Sequence, residues 1–127
     1  MINPFGVLIG WRLIARENGS SRYELDVAAQ HLNPNGVLHG GVLFSLADNG
    51  MGAALTSVLE EGELCASIAV NIAFRKAVTA GTLICDTRTV QKGRTVAFLE
   101  SEIRGGEQVV ARAQGTFSIF RARSELK

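Results

Sequence analysis

The sequence predicts an α+β fold in which one long helix packs against an antiparallel sheet of five or six strands. Three observations lead there. A single run, Val42 to Leu59, repeats apolar residues at helical spacing; several other segments alternate apolar and polar residues with period two; and short glycine-bearing turns join those segments. One amphipathic helix and a set of hairpins can hide their apolar faces by stacking helix on sheet.

In chain order, Val7 to Arg16 is an apolar stretch that reads as a strand, alone or preceded by a short helix. Asn18-Gly19-Ser20 is a turn, and after it Tyr23, Leu25 and Val27 alternate with Arg22, Glu24 and Asp26 as in a half-buried strand. A polar loop follows, where Asn33-Pro34 and Asn35-Gly36 favour turns. The helix is expected to begin near His39 to Gly41, to carry Leu43, Ala47, Ala54, Leu55 and Val58 on one face, and to end at Glu60-Glu61-Gly62. Gly50, Gly52, Ala53 and Ala54 would let a second chain approach it closely. Next, Leu64, Ala66, Ile68, Val70, Ile72 and Phe74 are expected on one face of a strand, with Cys65, Ser67, Ala69, Asn71 and Ala73 on the other. Thr82 to Gln91 and Arg94 to Arg104 form a hairpin around Lys92-Gly93. A last strand holding Val109, Ala111, Ala113, Phe117 and Ile119 returns after Gly105-Gly106.

Composition narrows the class. The chain has 127 residues, 46% hydrophobic and 20% charged, with formal net charge +1, which suits one domain spanning 1–127. No uninterrupted apolar run is long enough for a membrane span, and no secretory leader is recognisable, so the expected compartment is the cytoplasm and no membrane partner is expected. The near-neutral charge gives no footprint for nucleic acid. Cys65 and Cys85 form neither a metal-ligand cluster nor a disulfide framework, so no metal is expected and both are read as small packing residues.

The segment from His31 to Asp48 holds the chemistry. A helix N-terminus leaves backbone N–H groups unpaired and carries partial positive charge, so Gly40 and Gly41 suit an anion or a developing oxyanion. Asp48 is a carboxylate in an otherwise apolar helix. It follows Gly40 by eight residues, roughly 12 Å along a helix axis, too far for both to act on one carbon. If both act, a second copy must bring them together.

The run His-x-Asn-x-x-Gly-x-x-His-Gly-Gly-x-x-x-x-Leu-Ala-Asp, residues 31–48, resembles the signature of hotdog-fold acyl-CoA thioesterases of the phenylacetate-degradation type, near the 4-hydroxybenzoyl-CoA thioesterases. Ala66 to Phe74 and Lys92-Gly93-Arg94-Thr95 extend the similarity over almost the whole chain. The resemblance implies a sheet wrapped around the helix, with dimers often paired into tetramers, and an acyl-CoA substrate without further cofactor. It also implies that Gly40 polarises the thioester carbonyl and that Asp48 is general base or nucleophile. Asn33 would position the carbonyl or water, His39 would hold the loop or touch the thioester, and Ser67 would sit near the attacking water. Each has an ordinary alternative: a turn residue for Asn33, a cap for His39, an exposed helix carboxylate for Asp48, and a small packing residue for Ser67. Gly41 is expected to contact the substrate, and for the coenzyme phosphates the candidates are Arg75, Lys76, Lys92 and Arg94, with Arg121 and Arg123 behind them. Two other classes are the alternatives: a hotdog acyl-CoA hydratase or dehydratase, whose usual loop motif differs from this Gly-Gly…Leu-Ala-Asp run, and a non-catalytic acyl-CoA-binding protein, which would normally carry an output domain.

Overall fold

The computed structural model describes residues 2–122, so Arg123 lies outside it. The elements are α1 (Pro4–Ile9), β1 (Arg12–Glu17), β2 (Ser20–Asp26), a 3-10 turn (Ala29–His31), α2 (Gly40–Thr56), β3 (Glu63–Phe74), β4 (Thr82–Lys92), β5 (Val96–Gly105) and β6 (Gln108–Arg121). Six antiparallel strands form one sheet in the order β1-β2-β4-β5-β6-β3, and α2 contacts all six. This is the wrapped-helix arrangement the resemblance implies. Among the described residues no helix is long and apolar enough to cross a membrane.

The apolar stretch at the start resolves into helix and then strand. Asn3 caps α1 by accepting from the Gly6 amide at 3.0 Å, Pro4 takes a first-turn position where its missing N–H is harmless, and Gly10 ends the helix at φ 97°. In α2, Val42, Leu43, Leu46, Ala47, Met51, Ala54 and Leu55 are buried against Leu25, Leu83, Cys85, Leu99, Ile103 and Phe117 of the sheet.

Several expectations need correction. The helix ends at Thr56 rather than Glu60, because Ser57 turns its amide and hydroxyl back onto the carbonyls of the last turn. Gly50 and Ala54 face this chain's own sheet, so only Gly52 and Ala53 remain on the open side of α2. In the last strand Val110, not Val109, is buried, since the β5–β6 register shifts between Ile103 and Arg104.

The largest difference lies in β3. Ser67 pairs with Phe117 and Ala69 with Thr116, which leaves Ile68 as an extra, bulged residue. A bulge inverts the side-chain parity beyond it. Cys65 and Ser67 therefore face the helix side before it, and Val70, Ile72 and Phe74 do so after it, each opposite a buried residue of β6. Leu64 and Ile68, expected on the same face as Val70, Ile72 and Phe74, instead point away from the helix and are 50% and 61% exposed. β3 is also an edge strand.

Candidate active site

The loop before α2 is built from its own polar groups. Asn33 Oδ1 accepts from the amides of Asn35 at 2.9 Å and Val37 at 3.2 Å, while the Asn33 amide donates to the Val37 carbonyl at 2.7 Å. Only Asn33 Nδ2 is left to address a substrate. His31 is buried beneath this loop; its Nδ1 accepts from the Ala28 amide at 2.9 Å, so the proton sits on Nε2, which donates to the Ile9 carbonyl at 2.7 Å. The His31 carbonyl in turn accepts from the His39 amide at 2.9 Å. One imidazole thus ties the end of α1 to the start of α2, a role invisible in sequence because both partners are backbone atoms.

His39 is the N-cap of α2. Its Nδ1 accepts from the Gly41 amide at 2.8 Å, which places the ring proton on Nε2. The Gly41 amide is therefore engaged, contrary to its expected role as a substrate contact. The Gly40 amide has no acceptor among the described residues and lies at the positive end of a 17-residue helix. A methyl group at this position would stand 3.1 Å from the Phe74 ring, a close contact that the ring relieves by shifting a few tenths of an ångström.

Asp48 projects from the open side of α2 toward β3. Its Oδ1 is buried without a hydrogen-bond partner. Burial pushes the carboxyl above its ordinary value, and the Ser67 hydroxyl draws it partly back. Cys65, two residues from Ser67 on the same face, lies 3.8 Å from Thr56 Oγ1, and burial raises its thiol while the nearby Asp48 charge raises it further. Asn49, beside Asp48, accepts from Asn3 Nδ2 at 3.2 Å while its own Nδ2 is buried and unpaired. Sequence reasoning passed over Asn3 and Asn49, and it took Cys65 as a packing residue without placing it near Asp48.

The chain brings Asp48 and Ser67 together and keeps them apart from Gly40. Helix α2 runs antiparallel to β3, with Gly40 beside Phe74, Asp48 beside Ser67 and Thr56 beside Cys65. The cations separate as well. Arg75 follows β3 at the Phe74 end, where its amide donates to Val110, whereas Lys92 and Arg94 sit in the β4–β5 turn, level with Ala66 through Val96 and Ser118. Arg121 is occupied, donating to the Glu61 carbonyl at 2.9 Å. A groove of about 550 Å³ lies elsewhere, on the outer face of the sheet, where most of the charged side chains pair with one another, as in Arg22–Asp86 at 2.7 Å and Arg88–Glu100 at 2.8 Å. It holds no helix N-terminus and no buried carboxylate like Asp48, so α2 and β3 carry the stronger candidate site.

The model of the thioesterase superfamily matches residues 35–112. Acyl-coenzyme A thioesterase PaaI of Escherichia coli K12 is 31% identical over 117 residues, 91% of this chain and 77% of that protein. Among solved structures, the conserved protein PA5202 of Pseudomonas aeruginosa aligns with TM-score 0.91 and 34% identity, over 94% of this chain and 96% of its own. The PaaI protein from the Escherichia coli phenylacetic acid degradation operon aligns with TM-score 0.86 and 28% identity, over 95% of this chain and 86% of its own. Agreement of family model, relatives and fold places this chain in the thioesterase superfamily, as a hotdog-fold hydrolase of its phenylacetate-degradation branch.

Proposed function

We propose that this protein hydrolyses the thioester of a short- or medium-chain or aryl acyl-CoA, releasing the free acid and coenzyme A, at sites shared between two copies of the chain. The observation that carries this reading is the Asp48 carboxyl, half-desolvated and unpartnered at Oδ1 beside the Ser67 hydroxyl, while the free Gly40 amide lies at the far end of the same helix face. An amide aimed at developing negative charge on the carbonyl oxygen lowers the barrier to attack, and a poorly solvated carboxylate either takes a proton from water or attacks directly.

The free edge of β3 supplies a way to unite them. It is a 12-residue edge whose stretch from Leu64 to Phe74 carries no charged residue, the kind of edge that pairs with another strand. In an antiparallel pair of two β3 strands with the two-fold axis between Val70 and Asn71, Ser67 stands opposite the partner's Phe74. Asp48 of one copy then neighbours Gly40 of the other. The same operation sets Arg75 and Lys76 at the same end of the joined sheet as the partner's Lys92 and Arg94, giving the coenzyme phosphates cations from both copies. Asn33 Nδ2 and His39 Nε2 remain as donors on the Gly40 side.

The test is thiol release from a panel of acetyl-, hexanoyl-, palmitoyl- and phenylacetyl-CoA, with Asp48→Asn alongside. Wild type is expected to release thiol from at least one member, and the variant to lose about three orders of magnitude in kcat, as for removal of an essential base or nucleophile. Full activity in Asp48→Asn would remove Asp48 from the chemistry. Consumption of an enoyl-CoA without thiol release would move the protein to the hydratases.

A further inference from the structure

The middle of α2 rests on the sheet through buried hydroxyl groups that the chemistry above does not use. Ser21 of β2 donates to the Gly50 carbonyl at 2.7 Å, and Ser101 of β5 donates to the Ala47 carbonyl at 3.2 Å. Thr87 Oγ1 of β4 lies 2.6 Å from Ser101 Oγ; since the Ser101 proton is directed at Ala47, Thr87 donates to Ser101. All three side chains are no more than 5% exposed, and the Cys85 thiol adds a fourth donor, 3.8 Å from the Leu46 carbonyl. Carbonyls in mid-helix already accept from the amide four residues on, so the helix does not need these donors to be satisfied. Apolar residues of the same size would fill this part of the core.

What the hydroxyls add is direction. Non-directional packing leaves a helix free to roll and slide by small amounts, whereas hydrogen bonds to two chosen carbonyls fix both its rotation and its height above the sheet. Gly50 permits the low seat: a methyl group there would lie 2.6 Å from Thr87 Oγ1. Ala47 and Gly50 bracket Asp48, which points about 200° around the helix from Gly50 and hence away from the sheet centre, toward Ser67. With side-chain ends roughly 5 to 6 Å from the axis, a roll of about 20° carries the carboxyl about 2 Å. Misplacement of a reacting group by about 1 Å is enough to slow a reaction roughly a hundredfold.

We infer that Ser21, Thr87 and Ser101 are positioning residues for Asp48, acting from the far side of α2 by holding the Ala47–Gly50 turn at one rotation and height. The inference rests on the thioesterase reading for its catalytic consequence, but the seat itself is testable without substrate. Crystal structures and steady-state kinetics of Ser21→Ala/Ser101→Ala and of Gly50→Ala should be compared with Ser118→Ala, which removes an exposed hydroxyl–carbonyl bond at 3.3 Å to Ala66. The expected result is an Asp48 carboxyl displaced from Ser67 by about 1 Å, with kcat ten- to a hundredfold lower, KM within twofold, and the Ser118 control unchanged. If Gly50→Ala does not fold, the serine pair decides. An unmoved carboxyl overturns the inference, as does a moved carboxyl with unchanged kcat. Displacement in a protein whose wild type cleaves no thioester leaves the seat standing and removes the thioesterase reading instead.

Discussion

At Asp48 the carboxyl bears a desolvation penalty on its ionised form, and only the Ser67 hydroxyl offsets it. Between the ordinary carboxylate value, about 3.9, and its raised native value, the folded state holds more protons than the unfolded state, so this group lowers stability as pH rises through that window and keeps it lower above. Asp48→Asn should therefore melt at a higher temperature than wild type at pH 7, with the difference vanishing below about pH 3.5. Melting curves across pH check this, and a less stable variant at pH 7 would refute it. Asn33 calls for two substitutions, because its oxygen holds the loop while its nitrogen is free. Asn33→Ala frees two amides and should lose about 1 to 3 kcal/mol of stability. Asn33→Asp keeps both acceptor bonds, so it should melt near wild type while kcat drops at least tenfold if Nδ2 meets the substrate. Equal kcat in the aspartate variant would make Asn33 a turn residue alone. Asp48, Gly40, Asn33 and His39 stood out as candidates in the sequence because they are close together and their chemistry is unusual for their setting. His31 and the three buried hydroxyls were not, since each acts on a backbone atom at least eight residues away or through a neighbouring strand.

The elements divide in the same way. Period-two alternation located β2 and β4 through β6 closely, and helical spacing located α2, because each buries one face and leaves the other polar. In β3 the reading failed past Ser67. Leu64, Ala66, Ile68, Val70 and Ile72 form an unbroken alternating row, so nothing in composition marks the extra residue. The bulge is set by pairing with β6, a tertiary constraint. Its effect falls on the candidate site, because it lets Ser67 face Asp48 while Phe74, seven residues on, still faces Gly40; in a regular strand those two side chains would point to opposite faces. Likewise α1 was half-legible: Pro4 and Gly10 bound it, but its bond from Asn3 to Asn49 spans 46 residues.

For the molecule as a whole, sites shared between two copies, as proposed, would make inactive chains complementary. Gly40 is the first residue of α2, where proline is compatible with the helix and removes the very amide assigned to the oxyanion; the Phe74 ring must give way by a few tenths of an ångström. His39, at ψ 134°, already has the extended backbone a following proline requires. Co-expression of Gly40→Pro with Asp48→Asn should yield mixed dimers with one intact site in two, so about a quarter of wild-type activity under random pairing, from parents that are each nearly inactive. No recovery in a mixed dimer verified by mass would place both groups of each site in one chain.

The strand order has a temporal side. β3 is made before β4, yet its only neighbour within the chain is β6, with Leu64 against Phe120 and Phe74 against Ala111. That pair encloses the whole β4–β5 hairpin, a non-local contact whose loop-closure cost favours its forming late, after the hairpin has shortened the loop. The wall that bears Ser67 and the edge offered to a second copy thus come into being together. A partly folded chain has neither the candidate site nor the finished edge, so the proposed assembly would wait on the same event that completes the proposed site.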